Sequence, residues 1–249
     1  MSYRSDLKMI FFDVGNVFVS DDPSGCYLYR QMYNYLGGEA WGTPGHLFAL
    51  REEHLRLGGN LWTFARTIIA PEEFAAFRAR TRGEIFADWG RFSPEIPGMH
   101  EAAKRIGEKY RIGIIANQPR EVRAVLEERG IAAAFETMAI SEELQVDKPD
   151  PRIFEWAFEQ AQIEPSATMM VGDRLDNDVK PAKALGMKTC WLRMRFEQRG
   201  WVPQNDFERA YARSLGNFQW CEVDPRSPEE TPDLEVTSPA ELVAALVGE

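Results

Sequence analysis

The chain has 249 residues, 44% of them hydrophobic and 27% charged. That is the make-up of an ordinary globular protein, long enough for one α/β domain or for a core domain carrying a smaller insert. Its formal net charge of −10 argues against nucleic acid or an anionic membrane surface as main partner, since both need clustered Lys and Arg. A small anionic ligand held in a locally positive pocket stays open. The cysteines Cys26, Cys190 and Cys221 are far apart and odd in number, which gives neither zinc spacing nor a disulfide framework and points to a reducing compartment. The sequence shows no signal-peptide pattern and no apolar run near the ~20 residues of a membrane helix, so the expected location is cytoplasmic.

In chain order, Met9-Ile-Phe-Phe12 reads as a short buried strand ending at Asp13, with Gly15 allowing a sharp turn. From 21 to 93 the text turns helical, with aromatics at helical spacing. Helices are predicted over 26–36, 44–57 (ended by Gly58-Gly59), 61–69 and 71–86, and no strand pattern interrupts them. After the proline-rich stretch Ser93 to Gly98, helix and strand alternate. Helices over 99–109, 120–129, 151–162 and 179–185 lead to strands over 112–115, 137–140, 169–171 and 189–192, and 234–236 and 239–247 read as a last strand and helix. Such alternation predicts a parallel sheet with right-handed crossovers. The expected architecture is therefore an α/β, Rossmann-like three-layer core, residues 1–20 and 94–249, interrupted after its first strand by a small all-helical domain, residues 21–93. Residues 193–232 read as an irregular excursion from the core, with a helix over 205–215.

The strand ends carry the candidate chemistry. The first ends at Asp13; the second runs into Ala116-Asn117-Gln118-Pro119, where Pro119 suits a helix start whose free N–H groups make a natural phosphate site. The third leads to Lys148-Pro149-Asp150, and the fourth ends in Gly172-Asp173-Arg174-Leu175-Asp176-Asn177-Asp178. Taken singly, Asn117, Asp150 and Asp178 also read as helix caps and Lys148 as a solvated lysine. Together, Asp13, Asp173 and Asp178 at one sheet edge form an oxygen cluster suited to Mg²⁺, and such carboxylates repel unless a cation joins them. Lys148 adds a point charge for an anionic group. Metal, lysine and helix start are the parts phosphoryl transfer needs.

With these motifs in this order, the chain resembles the haloacid dehalogenase-like (HAD) hydrolases, in the subfamily whose helical cap follows the first motif. The resemblance rests on Asp13-Val-Gly-Asn-Val17, Asn117, Lys148-Pro149 and Gly172-Asp173 with Asp178. It implies that Asp13 is nucleophile and Mg²⁺ ligand, that the Gly15 carbonyl, Asp173 and Asp178 complete the metal site, and that Lys148 and Asn117 serve catalysis. Phosphate would rest on Gly15, Asn16, Ala116, Asn117 and Lys148, and the helical insert would close over the site and choose the substrate. The expected function is a Mg²⁺-dependent phosphatase of a small phosphorylated metabolite, working through an aspartyl-phosphate.

Two positions depart from the family pattern. Gly15 stands where phosphatases of the family usually carry a second Asp as general acid and base, and Ala116 where they offer a Ser or Thr hydroxyl. Asp21 and Asp22 are candidate replacements for the missing acid. The rival reading is a weakened HAD-fold protein that binds a phosphorylated ligand or a protein partner as a sensor. An aromatic residue marks the dehalogenase branch at position 15, so dehalogenation is not expected. In the insert, His46, His54, Trp41, Trp62 and Trp89 read as packing residues, and Arg51, Arg56 and Arg66 as solvated faces.

Overall fold

Short apolar runs bounded by turns become strands buried on both faces, the habit of a parallel sheet. The computed structural model describes residues 6–57, 60–215 and 224–248, and six such runs pair within it. They are β1 (Met9–Phe12), β2 (Arg111–Ala116), β3 (Thr137–Ile140), β4 (Thr168–Gly172), β5 (Lys188–Leu192) and β6 (Leu234–Val236). All pairings are parallel, and the strand order is β3-β2-β1-β4-β5-β6. Met9 to Phe12 register against Arg111 to Ile114 on one side and against Thr168 to Val171 on the other. The order reverses between β1 and β4, and open α/β sheets receive ligands outside the carboxyl ends of the strands at such a reversal.

Between β1 and β2 lie α1 (Asp22–Tyr35), α2 (Pro44–Arg56), α3 (Leu61–Ile68), α4 (Pro71–Ala87), the short α5 (Trp89–Phe92) and α6 (Met99–Gly107). The later helices are α7 (Val122–Glu128), α8 (Ser141–Leu144), α9 (Pro151–Ala161), α10 (Lys180–Ala184), α11 (Asp206–Leu215) and α12 (Pro239–Val247). Strand alternation sends Met9 and Phe11 to one sheet face, where they pack with Ile153, Phe154 and Phe158 of α9. Ile112, the register partner of Ile10, meets Gly107 of α6 on the other face. Helices thus cover both faces, and the expected three-layer α/β core is the one observed. Phe11 and Phe12 are fully buried, each contributing about 1.5–3 kcal/mol relative to exposure.

The chain folds as two compact units. The α/β unit comprises Met1–Ser20, Glu95–Gly200 and Gln219–Glu249; the helical unit comprises Asp21–Pro94 and Trp201–Phe218. The sequence placed all of 193–232 with the α/β core, and here the structure differs. Helix α11 presents Phe207 and Tyr211, an i, i+4 aromatic pair, to Tyr29, Tyr33 and Phe48 of α1 and α2. An amphipathic stripe must be buried against something, and this one completes the core of the helical unit.

Arg51 is a second correction. Read as a solvated residue, it is only 2% exposed. Its guanidinium lies over the rings of Tyr29, Phe48 and Tyr211, 5.0, 5.0 and 5.7 Å from their centroids. It also donates to the carbonyl and hydroxyl of Ser214 at 3.2 and 2.9 Å. Burial pushes the Tyr29 phenol up to about 12, against the opposing pull of Arg51. Cys26 and Cys190 are free and buried; Cys221 and the Gly58-Gly59 helix stop lie outside the described residues. Among the described residues, no helix is long and apolar enough to cross a membrane.

Candidate active site

The fully buried β1 delivers Asp13 to the carboxyl edge of the sheet, where its N–H donates to the carbonyl of Val171 in β4 at 2.9 Å. The ladder therefore fixes the first carboxylate against the strand that leads to the other two. Gly172 closes β4, and a Cβ there would stand 2.2 Å from Cγ of Asp178. Only a residue without a side chain lets the Asp178 carboxylate fold back against the strand end. The Arg174 N–H donates to Asp178 Oδ2 at 3.0 Å and pins it there.

Lys148 joins the carboxylates. Its Nζ lies 2.5 Å from Asp178 Oδ1 and 3.0 Å from Asp13 Oδ1, with the Lys148 and Asp178 side chains each 1% exposed. Asn117, one residue beyond β2, holds the lysine from behind. Its Oδ1 accepts the Lys148 N–H at 2.6 Å and its Nδ2 donates to the Lys148 carbonyl at 2.8 Å. Both ends of the amide are thus engaged with the Lys148 main chain. Asn16, in the left-handed region at φ 51°, donates from Nδ2 to Asp173 Oδ2 at 3.2 Å. Asn is among the few side chains that tolerate this backbone.

Ligand oxygens of Asp13, Asp173 and Asp178 all lie within 4.8 Å of one another. Burial, and then the neighbouring charges of Asp178 and Asp13, raise Asp173 well above the usual carboxylate range. Burial and Asp13 likewise push Asp178 up to about 6 against the pull of Lys148. Burial works against the Lys148 ammonium, yet Asp13 and Asp178 together raise its pKa. Asp13 and Asp178 therefore share Lys148 in a buried site, and the charges of Arg199 and Arg174 act on Asp173. An all-oxygen donor set of three clustered carboxylates fits a hard divalent cation such as Mg²⁺.

The structure thus brings together Asp13, Asn16, Asn117, Lys148, Asp173 and Asp178. Gly15 lies in the turn after Asp13, and Ala116 is the buried last residue of β2. The helix expected at Arg120 begins instead at Val122, and the Arg120 N–H is taken by Glu142 Oε2 at 3.0 Å; that donor is engaged within the protein. Asp150 is the helix cap it resembled, accepting from the Arg152 N–H at 3.0 Å. In the helical unit, His46 stacks on Trp41, His54 bonds Thr63, and Arg66 lies over Phe74.

Known proteins bear out the resemblance. The family model of haloacid dehalogenase-like hydrolases matches residues 58–192, more than half of the chain although the segment starts after Asp13. Glyceraldehyde 3-phosphate phosphatase of Methanopyrus kandleri is 32% identical over 114 residues, 46% of this chain and 39% of that protein. Pyrimidine 5'-nucleotidase YjjG of Escherichia coli is 37% identical over 99 residues, 39% of this chain and 44% of that protein. The chain therefore spans less than half the length of these relatives. The fold matches more completely: a HAD phosphatase from Thermococcus onnurineus superposes with a TM-score of 0.62 at 20% identity, covering 98% of this chain and 99% of that one. With its parallel core and its match to the family model, the chain belongs to the haloacid dehalogenase-like hydrolase family.

Proposed function

We propose that this chain is a Mg²⁺-dependent phosphatase of a small phosphorylated metabolite, acting through an aspartyl-phosphate on Asp13. The observation that carries the reading is Lys148, buried between Asp13 and Asp178 with Asp173 beside them. When bound by Asp13, Asp173, Asp178 and the Gly15 carbonyl, Mg²⁺ would offset charge on the transferring phosphoryl group. An Asp13 oxygen attacks phosphorus, the bond to the leaving oxygen breaks, and water then hydrolyses the acyl phosphate to regenerate the carboxylate. Lys148 keeps Asp13 aimed and neutralises phosphoryl oxygens, while Asn117 fixes the lysine. The relatives named as a glyceraldehyde 3-phosphate phosphatase and a pyrimidine 5'-nucleotidase support this chemistry; the substrate itself is a small phosphorylated molecule, met in the cytoplasm, and the helical unit is the proposed source of its selection. The decisive test is turnover of a phosphometabolite panel with Mg²⁺, run beside Asp13→Asn. Activity that disappears in the variant is the expected result, and retained turnover would falsify the mechanism.

A second reading, a phosphoryl-binding sensor with little turnover, is favoured by Gly15 and Ala116, which offer neither an acid nor a hydroxyl. Gly15→Asp separates the two. The enzyme reading expects about 10²-fold faster hydrolysis of alkyl phosphates, whose leaving oxygen needs a proton, and little change for aryl phosphates. A fall in both rates would show that another group already transfers the proton.

A further inference from the structure

We infer that Trp191 is a positioning residue for the loop that carries Asp173 and Asp178; the inference rests on the metal site proposed above. Trp191 lies on β5 as the register partner of Gly172 on β4, so its indole stands beside the last strand residue before Asp173. The ring is fully buried. Its Nε1–H donates to the main-chain carbonyl of Asp173 at 2.9 Å. The same indole packs with Leu175 and Val179, the two ends of the π-helical turn Leu175–Val179 that contains Asp178. One side chain therefore holds both parts of the loop, by a hydrogen bond at Asp173 and by apolar contact on either side of Asp178.

The indole is also braced by Arg193. The Arg193 guanidinium lies 4.6 Å from the ring centroid and is itself tied to Asp224 at 2.8 Å and to Glu235 of β6 at 3.2 Å. A phenylalanine at 191 would keep the apolar contact but leave the buried Asp173 carbonyl without this donor, and unsatisfied buried acceptors are costly. The N–H, and not only the bulk, is what the loop requires.

The test replaces Trp191 with benzothienylalanine, which keeps the bicyclic shape and lacks the N–H, alongside Trp191→Phe. Amide hydrogen exchange is followed in the metal-free protein, and Mg²⁺ affinity is measured by calorimetry. Exchange at residues 173–178 should accelerate about tenfold with the strands β1 and β2 unchanged, and the Mg²⁺ dissociation constant should rise about tenfold. Loop exchange equal to wild type in the benzothienylalanine protein, or acceleration spread evenly over the whole α/β unit, overturns the inference. Should the wild type bind no Mg²⁺, the metal reading fails by itself, and the loop exchange still decides the part played by Trp191.

Discussion

Both units bury a cation, and they surround it with different chemistry. Lys148 in the α/β unit meets two carboxylates directly, with a third beside them. Arg51 in the helical unit meets three aromatic rings and a serine. Around Arg51 the rings and the Ser214 hydrogen bonds hold α11 to α1 and α2. Around Lys148 the ammonium bonds carboxylates on two sides, and the charges of Arg199 and Arg174 reach Asp173. The cation among carboxylates sits where ligand oxygens gather at one sheet edge, and the cation among rings sits where helices pack.

Substitutions of the two cations break this contrast most sharply. Lys148→Met leaves buried carboxylates without their partner and should lower the stability of the metal-free protein by about 3–5 kcal/mol. Turnover should fall by about 10³-fold, since a fixed counter-charge to the phosphoryl group is gone. Urea unfolding in EDTA and steady-state kinetics read the two effects, and unchanged stability would mean that the carboxylates do not depend on the lysine. Arg51→Met should cost about 2–3 kcal/mol through lost ring and Ser214 contacts, with Mg²⁺ affinity as in wild type. A folded Arg51→Met protein with weakened Mg²⁺ binding would show that the two cations are not separate devices.

What the sequence disclosed follows the same division. Asp13 and Asp173 were legible because each directly follows a short apolar strand, and Lys148 and Asp178 through the local motifs Lys148-Pro149 and Gly172-Asp173 with Asp178. The helical block was equally plain from its aromatic spacing. The place of α11 was not. Phe207 and Tyr211 announce a face that must be buried, but not that its partners lie more than 150 residues earlier at Tyr29, Tyr33 and Phe48. Arg51 was misread for the same reason, since its hydrogen bonds reach Ser214. The start of α7 slipped by two residues because its first turn is closed by the tighter bonds from Val122 to Pro119 and from Arg123 to Arg120. Long-range partners decide the cases of α11 and Arg51, and periodicity is silent about them.

The smallest expected effect concerns Asn117. Its amide makes one accepted and one donated hydrogen bond with the main chain of Lys148, 31 residues away. Asn117→Ala removes both while leaving all three carboxylates and the ammonium in place, so charge is kept and only placement is loosened. Turnover should drop about tenfold, the scale seen when an outer partner of a metal or catalytic group is lost. Asn117→Asp is the sharper variant. It keeps the acceptor for the Lys148 N–H but sets a carboxylate oxygen against the Lys148 carbonyl, where two acceptors repel, so it should be slower than Asn117→Ala. If both variants turned over like wild type, the ion pairs alone would aim the lysine, and the difference between Lys148 and Arg51 would reduce to their direct partners without any need for a clamp.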